Sequence, residues 1–277
     1  MAHKIAVPVT SAASAPVPDA PQPPPPQRNE HSLDGAALRR LRVDLAACFR
    51  MAARHGLQEG ICNHFSAVVP DRPDLFLVNP YGLAFAEVTA SSLLLCDFEG
   101  NVLEGEGAPE ATAFYIHARL HRAKPRARAA FHTHMPHATA LAMLEGLPLL
   151  WVGQTALRFY GRIAVDEDYN GLALDEREGD RIAAAVGDDA DIVFMKNHGV
   201  MVLGATVAEA WDDLYYLERA AQAQLLAQSS GRALKIVPDE IARRVAAQEA
   251  AGRAESARLH LESAKRILSR EEPAFLA

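Results

Sequence analysis

Apolar residues at Leu38, Leu41, Leu45, Cys48 and Ala52 recur at intervals of three and four, the period of a helix with one buried face. Ser32 or Asp34 can cap its start and Gly56 closes it. The period then shortens. Runs 65–69 and 75–79 flank Pro70-Asp71-Arg72-Pro73 and predict a hairpin, and runs 93–98 and 102–103 repeat the pattern around Glu99-Gly100-Asn101. A helix is expected from Pro109, a residue suited to a first helical turn, to the stop at Lys124-Pro125. Strand 128–134 follows, then a short helix opened by Pro136, strand 149–152, and a helix from about Asp175 to Val186. Strands 191–195 and 200–203 flank a tight Asn197-His198-Gly199 turn. From Thr206 the chain turns helical, with Trp211, Leu214, Leu217, Ala221 and Leu225 on one face, and the charged, Ala-rich stretch 238–270 predicts one or two further helices. Hairpins among helices exclude a purely parallel doubly wound sheet and point to a layered α/β domain with a mixed sheet.

Composition changes this picture at the N-terminal end. The first 30 residues are rich in Pro and Ala, culminate in Pro23-Pro24-Pro25-Pro26, and predict a disordered tail, with residues 31–277 forming one domain that ends in a helical extension. Pro8 and Thr10 cut the apolar stretch at Ile5 too short for a signal peptide. With 49% hydrophobic residues the chain has material for a core, and its net charge of −7 argues against nucleic acid or an anionic membrane as partner. No run approaches the roughly 18 apolar residues of a membrane helix. Cys48, Cys62 and Cys96, odd in number and without C-x-x-C spacing, form neither a disulfide framework nor a thiolate zinc site, so a reducing cytoplasm is the expected location.

The chemistry lies in the histidines. In Phe131-His132-Thr133-His134-Met135 the alternation of a strand sends His132 and His134 to one face about 7 Å apart, close enough for both imidazoles to converge on one ion. His198, in a turn directly after an apolar strand, supplies a third imidazole at a strand end, and the three together predict a divalent-metal site. His137 is a rival third ligand by sequence distance, although its place after Pro136 at a helix start aims it toward solvent or the substrate mouth. Glu110, at the first turn of the helix opened by Pro109, is the candidate acid/base, with Glu104 and Glu106 as alternatives. Asn63, His64 and Ser66 precede or open a strand and could face the polar end of a ligand.

Asn63-His64-Phe65-Ser66, Pro109-Glu110, His132-Thr133-His134 and Lys196-Asn197-His198-Gly199, in that order between Leu38 and Leu226, resemble the class II aldolase/adducin family. The resemblance implies a three-layer α/β/α fold with a central mixed, largely antiparallel sheet, and a homotetramer with sites at subunit interfaces. It assigns His132, His134 and His198 to zinc, with Fe, Mn or Co as other occupants, and Glu110 to proton exchange. Asn63 matches the loop that holds the substrate's distal end, and Gly82 matches a glycine of the neighbouring loop. Two departures bear on the substrate. Where the sugar-phosphate aldolases place two phosphate-gripping serines before the glutamate, this chain has Ala108 and Pro109, and no tyrosine stands in Leu149-Leu150-Trp151-Val152, where the aldolase proton donor falls; Tyr160 and Tyr169 follow it.

The expected function is therefore a metal-dependent carbon–carbon lyase, cleaving an aldol or a carboxylate through a metal-stabilised enediolate, on a small non-phosphorylated hydroxy-carbonyl compound or 2-oxo acid. A non-catalytic adducin-like interaction module and an iron-dependent oxygenase on the same scaffold are the alternatives.

Overall fold

The computed structural model describes residues 35–171 and 176–277. The expected tail, the caps Ser32 and Asp34, and the helix start at Asp175 lie outside the described residues. The elements run α1 (Gly35–Arg54), β1 (His64–Val69), β2 (Arg72–Val78), β3 (Leu94–Asp97), β4 (Val102–Glu104), α2 (Ala111–Ala123), β5 (Ala129–Thr133), α3 (Pro136–Ala142), α4 (Gln154–Leu157), β6 (Ile163–Asp166), α5 (Glu176–Ala185), β7 (Ile192–Met195), β8 (Gly199–Gly204), α6 (Val207–Gln228), α7 (Asp239–Glu271) and a closing 3-10 turn.

The strands form one sheet in the order β4-β3-β2-β1-β5-β8-β7-β6. Every neighbouring pair is antiparallel except β6 and β7, so the sheet is mixed and largely antiparallel, as expected. Alternation along the strands sorts side chains between two helical layers. Phe65, Ala67, Phe131, Phe194 and Val202 join the core under α1, α3, α6 and α7, whereas Ala130, Val193, Met201 and Leu203 pack with Ile116 and Leu120 of α2 and Ile182 of α5. The result is the three-layer α/β/α arrangement.

One local feature differs from the sequence expectation. Residues 149–152 form no strand: Pro148 offers no backbone donor, and the Gln224 side chain of α6 accepts from Leu150 N at 2.7 Å and donates to the Pro148 carbonyl at 2.9 Å, replacing a ladder partner. The strand of this region is instead β6, parallel to β7 in the register Ile163↔Ile192. Of the one or two helices expected over 238–270 the chain forms one, α7, whose buried Ala257, Leu261, Ala264 and Leu268 keep a helical period while its N-terminal half buries only Ala242.

Candidate metal centre

The site is built where β1, β5 and β8 run side by side. His64 and His132 face each other directly across the β1/β5 ladder, and the adjacent pair Phe65 and Phe131 points the other way, their rings stacked 4.0 Å apart in the core. The buried aromatic pair thereby fixes the face on which both imidazoles stand. His134 follows the end of β5, and His198 sits in the turn joining β7 to β8 beside Asn197, whose φ of 56° is left-handed. Gly199 is required by close approach: a Cβ there would lie 2.7 Å from the His134 ring and 2.7 Å from the Thr133 carbonyl.

One ligand atom from each of His132, His134 and His198 lies within 4.8 Å of the others, and the ring centroids are 4.8 to 5.0 Å apart. His132 Nδ1–H donates to the Val200 carbonyl at 3.0 Å, and His134 Nδ1–H donates to Glu59. With Nδ1 as the donor, Nε2 is the atom each ring offers to an ion, and these two nitrogens face each other at 3.1 Å. Two opposed lone pairs at that distance call for a cation between them, and the backbone and carboxylate partners behind them are those that orient metal-binding histidines. The donor set therefore fits a divalent ion. Burial, with the neighbouring histidines adding to it, holds His132 well below the usual histidine range and His198 down to about 4, which keeps both in the neutral form a metal requires.

A cavity of about 440 Å³ opens over this group, walled by His64, Tyr81, Glu110, Ile116, Tyr169 and Glu178 among others. Glu110 is the N-cap of α2. Its Oε2 accepts from Ala113 N at 2.9 Å and from the Thr112 hydroxyl, so Oε1 is the oxygen left for a ligand. Among the described residues this wall contains neither lysine nor arginine.

The other sequence candidates are placed differently. Ser66 is fully buried, with its hydroxyl engaged by His117 and His121, so it cannot touch a ligand as expected. Asn63 and Gly82 do not line the cavity, although their neighbours His64 and Tyr81 do. The Asn63 Oδ1 accepts from Glu59 N at 2.7 Å, which ties the loop before β1 to the residue that orients His134. His137 is pinned to buried Glu218 at 2.7 Å rather than aimed at the substrate mouth, because that carboxylate also caps the start of α3. Glu104 pairs with Arg42, and neither it nor Glu106 reaches the cavity. Of the two tyrosines, Tyr169 lies 6.1 Å from His198 ring to ring, whereas Tyr160 donates to Asp239 outside the cavity. Sequence reasoning missed Glu59, His117 and His121. The four-residue spacing of the last two on one helix was the available signal.

Residues 43–225 match the family described as Class II Aldolase and Adducin N-terminal domain. A Caulobacter vibrioides protein, named as an unproven aldolase class 2 protein, is 40% identical over 193 residues, covering 69% of this chain and 74% of its own. The crystal structure of an aldolase II superfamily protein from Pseudomonas syringae superposes with a TM-score of 0.81 at 33% identity, over 87% of this chain and 96% of that one. At 24% identity, L-fuculose 1-phosphate aldolase from Glaciozyma antarctica shares the fold, with a TM-score of 0.74 over 89% of this chain and 95% of that one. Family match, sequence relative and structural neighbour agree: this chain belongs to the class II aldolase and adducin family.

Proposed function

We propose that the protein is a metal-dependent carbon–carbon lyase acting on a small, non-phosphorylated hydroxy-carbonyl compound or 2-oxo acid. The observation that carries the reading is the convergence of three imidazoles on one point, with the Nε2 atoms of His132 and His134 3.1 Å apart and His198 beside them. In this reading these three residues hold the ion, which is zinc or another divalent metal. A divalent ion held there would supply Lewis acidity toward a substrate carbonyl. Glu110 exchanges the proton at the carbon left behind, through the Oε1 that its capping bonds do not use. Tyr81 and Tyr169 are the wall's phenolic donors for a leaving group, and a departing carbon dioxide needs none.

Two features support a substrate without phosphate. Ala108 and Pro109 stand where the sugar-phosphate aldolases carry serines, and among the described residues the wall offers no lysine or arginine to hold a phosphate dianion against the Glu110 carboxylate, Glu178 being paired with Arg181. The intact histidine set argues against a purely adducin-like interaction module, which has no use for three imidazoles poised on one point. The test is metal analysis of the purified protein, followed by a screen of 2-oxo acids and hydroxy-carbonyl compounds for release of carbon dioxide or an aldehyde. Stoichiometric metal with turnover of one such compound is the expected result; a metal-free protein that stays metal-free on reconstitution would sink the reading.

A further inference from the structure

Behind the cavity wall a chain of buried polar groups runs from the site into the sheet–α2 interface. His121 Nδ1–H donates to the Ala127 carbonyl at 2.7 Å, which can only accept. His121 then turns an unprotonated Nε2 toward the Ser66 hydroxyl, 2.7 Å away, and the hydroxyl donates to it. The Ser66 oxygen accepts in turn from His117 Nδ1–H at 2.5 Å, and His117 Nε2 accepts from His64 Nδ1–H at 3.0 Å. Four links use four protons, one from each neutral imidazole and one from the hydroxyl. None remains for His64 Nε2. That atom faces the cavity 4.0 Å from Glu110 Oε2.

All four side chains are buried, so each link is made in a medium where an unpaired polar group is costly. Reversing the direction of the chain would move the His121 proton to Nε2 and leave a bare Nδ1 facing the Ala127 carbonyl, two acceptors 2.7 Å apart. The backbone carbonyl is thus the fixed end that determines every proton in the series.

We propose that this relay holds His64 as a hydrogen-bond acceptor toward the cavity, so that the site selects ligands carrying a hydroxyl, rather than an oxo group, at the carbon beside the metal-seeking carboxylate or carbonyl. The inference rests on the lyase reading for its metal-seeking ligand and narrows it: with a bare imidazole nitrogen and an anionic carboxylate on the same wall, a hydroxyl finds an acceptor where an oxo group meets only lone pairs. His64 is the contacting residue, and His117, Ser66 and His121 are positioning residues that never reach the ligand.

Two measurements test it on the full-length, zinc-loaded protein. Neutron diffraction of deuterium-exchanged crystals is expected to show deuterium on Nδ1 of His64, His117 and His121 and none on His64 Nε2; deuterium on His64 Nε2 overturns the proposal. Calorimetry with lactate and pyruvate, which differ at C2 as hydroxyl and oxo, then reads the selection. The lactate-to-pyruvate affinity ratio should fall about fivefold in His64→Asn, the loss of one net hydrogen bond, since the Asn amide keeps a donor near Nδ1 but has nothing at Nε2. Ser66→Ala should lower the ratio from outside the cavity, and Ser66→Cys, which keeps a donor and acceptor of similar size, should restore part of it. A merely structural role would weaken both acids alike. An unchanged ratio in His64→Asn and Ser66→Ala, or a wild-type protein that binds neither acid, overturns the selection. Absence of lyase turnover leaves both readouts intact, so it counts against the reaction and not against the relay.

Discussion

Removing the His134 imidazole deletes one of three donors and also frees Glu59, whose carboxylate holds that ring in place. His134→Ala is therefore expected to empty the metal site in elemental analysis, and metal retained at wild-type occupancy would remove His134 from the ligand set. Glu110→Gln separates structure from chemistry. The Gln carbonyl can still accept from Ala113 N, so the α2 cap and the metal should survive, while turnover falls by about 10² to 10⁴ with loss of the proton-exchanging group. If Glu110 serves only the helix end, turnover stays near wild type and the loss is confined to about 1 kcal/mol of stability, from the lost negative charge at the α2 N-terminus. At this scale the sequence spoke through parity and spacing. His132 and His134 could be read from alternation on one strand, and His198 from its turn after an apolar run. Glu59, His117 and His121 could not be placed, because their roles depend on which strand lies against which: Ser66 reaches both helical histidines only once β1 is laid beneath α2. The same pairing removed Ser66 from the ligand surface, where its neighbourhood in sequence had put it.

Elements are joined by charges that the sequence left scattered. Asp213 on α6, fully buried, pairs with Arg162 before β6 and with Arg253 of α7 at 2.7 Å, and Asp212 beside it takes His260 of α7 at 2.8 Å and Arg158. Asp191, just before β7, binds Arg126, Arg162 and Arg253. These pairs attach α7, whose N-terminal half has little apolar surface to bury. Asp213→Ala leaves two partly buried guanidinium groups short of a counter-charge and is expected to cost about 3 kcal/mol in denaturant unfolding. A cost below about 0.5 kcal/mol would mean that the pairs only decorate a helix held by packing. The same cluster sets an acid limit. Burial alone would raise Asp191 and Asp212, but the arginines around Asp191, and His260 with Arg158 at Asp212, outweigh it and hold both carboxyls below their usual range. A depressed folded-state value stabilises the protein above the unfolded value near 3.9, and that contribution is lost as pH falls through the folded value. Stability measured against pH should therefore drop on the acid side of about pH 4, and the drop should shrink in Asp212→Asn. Element types were legible where period and punctuation agreed, as in α1, α2 and α6. They failed at 149–152, where an apolar run is buried as a loop because a distant glutamine meets its backbone, and at β6, too short and too evenly half-buried to show a period.

For the whole molecule, the segment after α3 connects the metal site to the outer surface. Met143, Leu144 and Leu147 are 61%, 47% and 49% exposed, an apolar group on an otherwise acidic protein. It is not a loose loop. Lys196 Nζ donates to the carbonyls of Leu144 at 2.5 Å and Gly146 at 2.7 Å, and Asn197 N donates to the Ala142 carbonyl at 3.4 Å, so the segment is tied to the two residues that precede metal-site His198. Family membership and this apolar surface together support a homo-oligomer, which we propose as a tetramer, with the segment covered by a second copy. Whatever presses on the segment then presses on the turn that carries His198. Leu144→Glu combined with Leu147→Glu should lower the mass in light scattering and reduce turnover in step, while a dilute sample retains its metal because all three histidines belong to one chain. Dissociation without loss of turnover would show a site complete in the single chain. An unaltered mass would place the interface elsewhere, and a wild-type protein that is monomeric and fully active at assay concentration would refute the assembly itself.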